Sequence, residues 1–160
     1  TVAKSTLTYA LFEGSFITDT PALDRTVNIL MFSDPDENAY QIMINRALLN
    51  EDQEPEAWCE QQTEVQRNEL PGFKTEGKML THEIGPARLP VIQIANSFLQ
   101  EGKTIRQVQS IIRLPQNSTV NPGNRGLIIF TLRAEKDFTE FQRKHYVQVI
   151  NSFDPETTLP

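Results

Sequence analysis

The chain has 160 residues, 38% of them hydrophobic, which sets the expectation of one domain with a real core and excludes a disordered polar chain. A net charge of −6 and a pI near 5.0, with no cluster of Lys or Arg, exclude the basic patch that nucleic acid or an anionic membrane surface requires. The lone cysteine, Cys59, excludes an intrachain disulfide, and no apolar run approaches the roughly 18 residues that a membrane span needs.

The sequence predicts two short strands, 8–12 and 15–18, about a turn at Glu13-Gly14. Pro21 breaks the pattern, and a third strand covers 26–32. The turn-rich stretch Ser33-Asp34-Pro35-Asp36-Glu37-Asn38 leads into a strand over 40–46, so these two are expected to form a hairpin. An acidic segment with Pro55 then opens a helix that runs to about Glu69, because proline suits the first turn and carboxylates suit the positive end of the helix dipole. Leu70-Pro71-Gly72-Phe73 stops it. A meander of four strands follows at 74–83, 89–100, 103–114 and 126–133, with a long, flexible loop at 115–125. A helix over 137–151, with Phe138, Phe141, His145, Tyr146, Val149 and Ile150 on its apolar face, closes the fold. Residues 1–160 thus read as one α+β domain, a mainly antiparallel sheet flanked by helices, with its core at about 7–153 and a frayed tail at 154–160. One sheet face is expected to pack under the helices through Leu30, Phe32, Ile42, Ile44, Ile92, Ile94, Val108, Ile112, Ile128 and Phe130; both sides of 127–132 are apolar, so its parity is ambiguous.

The second face of these strands is unusual. Val27, Ile29 and Met31 lie opposite Leu30 and Phe32; Gln41, Met43 and Asn45 lie opposite Ile42 and Ile44; Ile105, Gln107, Gln109 and Ile111 lie opposite Val108 and Ile112. A half-solvated antiparallel strand normally turns a charge-rich side to water. Here that side carries only aliphatic residues, Met and amides, which is the composition of an interface or a binding groove. Amides both donate and accept hydrogen bonds, and they enter an apolar groove without the desolvation cost of a full charge. Gln41, Asn45, Gln62 and Gln109 are candidate groove residues on that ground, with Met43 as an adaptable apolar contact. Gln93 and Gln107 fit an ordinary solvated strand face equally well.

Catalytic motifs are not found. His82 and His145 have no ligand partner at metal-binding spacing, so no metal is expected. Cys59 has neither a nearby His nor a CxxC partner, and Glu51, Asp52, Glu54 and Glu56 read as a solvated helix start. Asn117-Ser118-Thr119 matches a glycosylation sequon that a cytosolic protein would not use. No nucleotide or nucleophile-elbow motif occurs, so neither a cofactor nor an enzyme is expected. No basic-then-apolar signal segment opens the chain, and the expected compartment is the cytoplasm.

Asp24-Arg25-Thr26-Val27-Asn28-Ile29-Leu30 resembles the D-x-T-[IV]-N-[IVL] strand of the DcrB-like family. Ile44-Asn45-Arg46, Gln61-Gln62, Leu70-Pro71-Gly72-Phe73 and Gln109 resemble further segments of that family in the same order, and the similarity runs from about Thr8 to Phe153. Within the family the chain is most similar to the Eag chaperones of bacterial type VI secretion. That resemblance implies a fold similar to the Mog1/PsbP type and a homodimer with a hydrophobic groove. The implied partner is the hydrophobic N-terminal transmembrane segment of a secreted, Rhs-like effector, shielded until loading, with a type VI spike protein reached through the effector. It further implies Val27, Ile29, Gln41, Met43, Asn45, Gln62 and Gln109 as the client-binding groove, and Met31, Gln93, Gln107 and Ile111 as additional groove or dimer contacts. Two other classes stay open: a homodimeric scaffold whose charge-free face only seals against its twin, and a small-molecule or lipid binder.

Overall fold

A hairpin of β1 (Thr6–Ala10) and β2 (Ser15–Asp19) forms a sheet of its own. The computed structural model describes residues 6–22 and 24–156. The main sheet has seven strands: β3 (Asn28–Ser33), β4 (Ala39–Leu48), β5 (Lys74–Thr75), β6 (Leu80–Ile84), β7 (Leu89–Gln100), β8 (Lys103–Arg113) and β9 (Gly126–Ala134). Its order is β3-β4-β9-β8-β7-β5, with β6 also paired to β7, and every pairing is antiparallel. The helices are α1 (Pro55–Glu69), between β4 and β5, and α2 (Glu140–Asn151) after β9. The fold is therefore the α+β architecture expected.

The helices lie on opposite faces. Under α2, Tyr40 and Ile42 of β4, Val91 of β7, Ile112 of β8 and Ile128, Phe130 and Leu132 of β9 pack with Tyr146 and Ile150. Under α1, Cys59 and Trp58 pack with Leu49, Ile92, Ile111, Leu127, Ile129 and Ile94. The expectation that Ile92 and Ile94 join Ile42 and Val108 on one face is thus corrected: they sit on the α1 side. Alternation cannot assign parity in β7, because Val91 and Ile92 are both buried.

Three further expectations change. The strand expected at 74–83 is broken into β5 and β6, with Gly77 between them at φ +77°, a conformation that interrupts the ladder. The 115–125 loop is pinned rather than flexible. The buried Asn121 donates through Nδ2 to the carbonyls of Leu114 and Pro115, and its Oδ1 accepts from the backbone N–H of Arg125 and Gly126. Asn117 of the sequon is buried, and its Nδ2 donates to the Glu156 carbonyl at 2.9 Å, so its amide is engaged inside the fold. The same bond holds residues 154–156 against the domain, where a frayed tail was expected; 157–160 lie outside the described residues.

α2 is fixed at its N-terminal end. Thr139 caps it in a reciprocal box with Gln142. Asp34, in the β3–β4 turn, accepts from Thr139 Oγ1 at 3.2 Å and from Gln142 Nε2 at 3.4 Å. Desolvation pushes the Asp34 carboxyl up, but the Asn38 N–H groups, Thr139 and the Asp36 N–H outweigh it, and the net shift is downward. A lowered folded value means that the contribution to stability is complete above the unfolded value of 3.8 and is lost as pH falls through the lower folded value. Urea titrations below pH 4 are therefore expected to show a steeper acid loss in the native protein than in Asp34→Asn; equal slopes would remove Asp34 from that role.

Candidate functional site

The lead-in to β3 is organised by the Asp24-Arg25-Thr26 segment. Asp24 accepts from the Thr26 backbone N–H at 3.0 Å, from the Thr26 hydroxyl and from Tyr9 of β1, so it ties the hairpin to the main sheet. These hydroxyl donors, Thr26 first and then Tyr9, hold its carboxyl below the ordinary range. Arg46 at the far end of β4 donates to the Thr26 carbonyl and to Asn28 Oδ1. The residues that look like sequence punctuation thus fix the backbone on either side of Val27. With that backbone set, Val27, Ile29 and Met31 are 50%, 54% and 76% exposed. Ile29 stands opposite Met43 and Met31 opposite Gln41.

α1 covers one end of this face. Its C-terminal corner is tied to β7 by Leu70-Pro71-Gly72-Phe73: the Pro71 carbonyl accepts from Leu99 N–H at 2.8 Å. Gly72, at φ +62°, lies where a Cβ would come within 2.9 Å of the Leu99 side chain. Phe73 lies beneath the Arg67 guanidinium. The stripe of α1 facing the sheet is polar where it leaves the core. A cavity of about 410 Å³ lies beside it at Glu60, Thr63 and Met79. Another, of about 370 Å³, opens toward β3 and β4.

Four of the seven candidate groove residues meet in that second cavity: Val27, Asn45, Gln62 and Gln109. Trp58, Ile94, Ile111 and Ile129 supply its apolar wall. Ile29, Gln41 and Met43 continue the same sheet face away from α1, as the cross-strand register Ile29↔Met43↔Thr131 requires. Of the additional residues, Met31 shares the face at its open edge. Ile111 belongs to the core under α1 and reaches the cavity only as wall. Gln93 does not belong to the groove: it lies on the α2 face and donates to Ser110 Oγ at 3.3 Å. Gln107 lies on the groove side but is buried, with its amide given to Asn96 at 2.7 Å.

Three groups that sequence reasoning did not place also belong here. Gln66 lines the cavity one turn after Gln62, and its Oε1 hydrogen-bonds nothing among the described residues. Thr131, between Met43 and Gln109 in the register, is 2% exposed, and its Oγ1 is likewise unpartnered. Arg133 stands opposite Gln41 and Gln107 on this face, and Arg25 and Arg46 line the cavity itself, so the face is not free of charge. The i, i+4 spacing from Gln62 would have found Gln66; Thr131 and Arg133 required the parity of β9, which its two apolar sides conceal.

Nothing here resembles a nucleophilic site. Burial, with Glu56 and Glu60 nearby, pushes the Cys59 thiol up to about 12, so it stays protonated and inert. His145 Nδ1 lies 2.8 Å from the Tyr40 hydroxyl, at the edge of the core under α2, and His82 is exposed on β6. Among the described residues no helix is long and apolar enough to cross a membrane.

The DcrB family model matches residues 13–152 of the chain. No curated protein sequence matches it. Among solved structures it is similar to PA94 of Pseudomonas aeruginosa, a protein of unknown function: the TM-score is 0.70 at 18% identity, over 96% of this chain and 99% of that one. It is also similar to LpqN of Mycobacterium tuberculosis, which is involved in cell envelope biogenesis, with a TM-score of 0.54 at 17% identity, over 82% of this chain and 83% of that one. At these identities the likeness is one of fold.

Proposed function

The chain belongs to the DcrB family, and from that premise we propose that it is a cytoplasmic chaperone that shields the apolar N-terminal helices of a secreted effector until the effector is loaded. The observation that carries the proposal is the convergence of Val27, Asn45, Gln62 and Gln109 in one cavity that runs on into the exposed apolar edge of Ile29 and Met31. Aliphatic wall and neutral amides make up most of the lining, which suits an apolar helix, and Arg25 and Arg46 also border it.

The energetics favour such a client. A membrane-spanning helix carries about 20 apolar residues and aggregates in water. Burying ~1,000 Å² of it at ~25 cal/mol/Å² contributes about 25 kcal/mol before the cost of association. Helices that pack closely in membranes present Gly, Ala and Ser on one side, with hydroxyls and backbone oxygens within reach of a neighbour. Amides in the groove are suited to pair with those atoms. The client proposed is the N-terminal transmembrane segment of a type VI secretion effector of Rhs-like type, with a spike protein engaged through that effector.

The protein is proposed to act as a homodimer. Leu11, Phe12, Phe16 and Ile17 of the β1–β2 hairpin are exposed, and an isolated two-stranded hairpin is at best marginally stable in water, so packing against a second copy is favoured.

Co-expression with such an effector segment, fused to a soluble carrier, is the test. The segment is expected in the soluble fraction, bound to this protein, and in the pellet without it. A segment equally insoluble in both cases would overturn the proposal.

A further inference from the structure

Arg133 is a cation without an anion. The ion pairs of the described residues are Glu64 with Arg67, Glu135 with Lys103, Asp137 with Arg106 and Glu140 with Lys144, and none involves Arg133. Its guanidinium is nonetheless held firmly. Nε and Nη2 both donate to Gln107 Oε1, at 3.2 and 3.0 Å. Gln107 is fixed in turn, because its Nε2 donates to the buried Asn96 at 2.7 Å. The Phe98 ring lies 5.6 Å from Arg133 Cζ and supports one flat side of the group. Two groups, the Gln107 amide oxygen and the Phe98 ring, orient the guanidinium, while both N–H groups of Nη1 donate to nothing among the described residues.

Burial disfavours the charged form of Arg133 and lowers its pKa, though arginine stays protonated. A half-buried cation that lacks a counter-charge and is braced by neutral groups has paid its ordering entropy in advance. Its position gives that arrangement a use. Arg133 faces Gln41 across the β4–β9 pairing, on the groove side, and Ile129 of the cavity wall lies four residues back on the same strand. Four strand residues span ~13 Å, which an α-helix covers in about nine residues.

We propose that Arg133 is a specificity-determining residue of the groove, one that takes a single Asp or Glu carboxylate carried by the otherwise apolar client helix, about nine residues from the part seated between Val27 and Gln62. The inference rests on the chaperone reading and refines it. The wall and amides accept many apolar helices, and the guanidinium selects among them and sets register and direction, since a carboxylate pairs with a guanidinium in a fixed plane. In the surrounding apolar segment the same carboxylate would be costly to leave unpaired.

The test uses a 20-residue Leu/Ala helix fused to a soluble carrier, bearing one Glu or one Gln at a position moved stepwise along it. Binding to the full chain is measured at low and high salt. At one position the Glu helix is expected to bind roughly 10-fold tighter than its Gln counterpart. Arg133→Gln is expected to abolish that preference, and Arg133→Lys to retain part of it. Equal binding of Glu and Gln helices at every position overturns the role of Arg133 and leaves the groove reading standing. Failure of all the helices to bind overturns both. An Arg133→Gln protein that loses Glu and Gln helices alike marks a purely structural arginine and also overturns it. The Glu/Gln comparison on the unmodified chain decides the question should the variant fold poorly.

Discussion

Ile29→Asp and Val27→Asp are expected to leave the protein folded while an apolar effector segment, co-expressed with either, passes entirely into the insoluble fraction. Both side chains are about half exposed, Ile29 on the edge strand β3 and Val27 just before it, so a carboxylate at either position keeps its water in the unbound protein. Substitutions of that kind usually change stability by no more than ~0.5 kcal/mol. A client helix seated on the same surface would strip that water away, and an unpaired carboxylate is among the most costly groups to desolvate. Ile29→Ala separates lost contact from added charge: it deletes only apolar area, worth about 1.5–3 kcal/mol at full burial, and is expected to weaken retention without abolishing it. Unfolding midpoints by circular dichroism establish that each variant is folded, and the partition of the segment between supernatant and pellet is the readout. A client that stays soluble with folded Ile29→Asp would move the groove elsewhere.

Tyr146→Ala is expected to cost about 3–5 kcal/mol of stability, enough to threaten the fold of an ordinary domain. Tyr146 is buried at the centre of the contact between α2 and the sheet. Its hydroxyl lies 2.7 Å from Ser110 Oγ and 2.9 Å from the Phe130 carbonyl. Truncation would therefore leave a cavity and leave the fully buried Ser110 hydroxyl with Gln93 as its remaining side-chain partner, two penalties that add. Tyr146→Phe removes only the hydroxyl and is expected to cost ~1–3 kcal/mol, so the difference between the two variants isolates the ring. Urea denaturation gives both numbers. A Tyr146→Ala variant within 1 kcal/mol of the native protein would mean that α2 is not essential to the core, against the ~3–5 kcal/mol set by large-to-small replacement.

Much of this arrangement is legible in the residues alone, for identifiable reasons. A period of two along β3, β4 and β8 picks out a second face of aliphatic residues, Met and amides, and Ile29, Met43 and Gln109 share one face of the sheet as expected. Leu70-Pro71-Gly72-Phe73 ends α1 where a proline and a left-handed glycine must. Parity is concealed in β7 and β9: a period of two does not reveal that Ile92 and Ile94 pack under α1 while Gln93 faces α2, and it leaves the side of Arg133 open. Local composition also misjudges 115–125, because the bonds that fix this loop come from the buried amides of Asn117 and Asn121, residues that in sequence look only like turn formers.

The opposite placement of the two helices has an evolutionary consequence. The α2 side holds Ile42, Ile112, Leu132 and Tyr146, all buried, and carries a large share of the folding energy. The face beyond the reach of α1 is a separate layer of side chains on the same strands, facing the other way. A change at Ile29, Gln41 or Met43 therefore leaves that packing untouched, and selection is free to retune one surface for new helices without endangering the domain. Divergence in such a lineage should concentrate on alternate residues of β3 and β4, with the intervening positions held nearly constant.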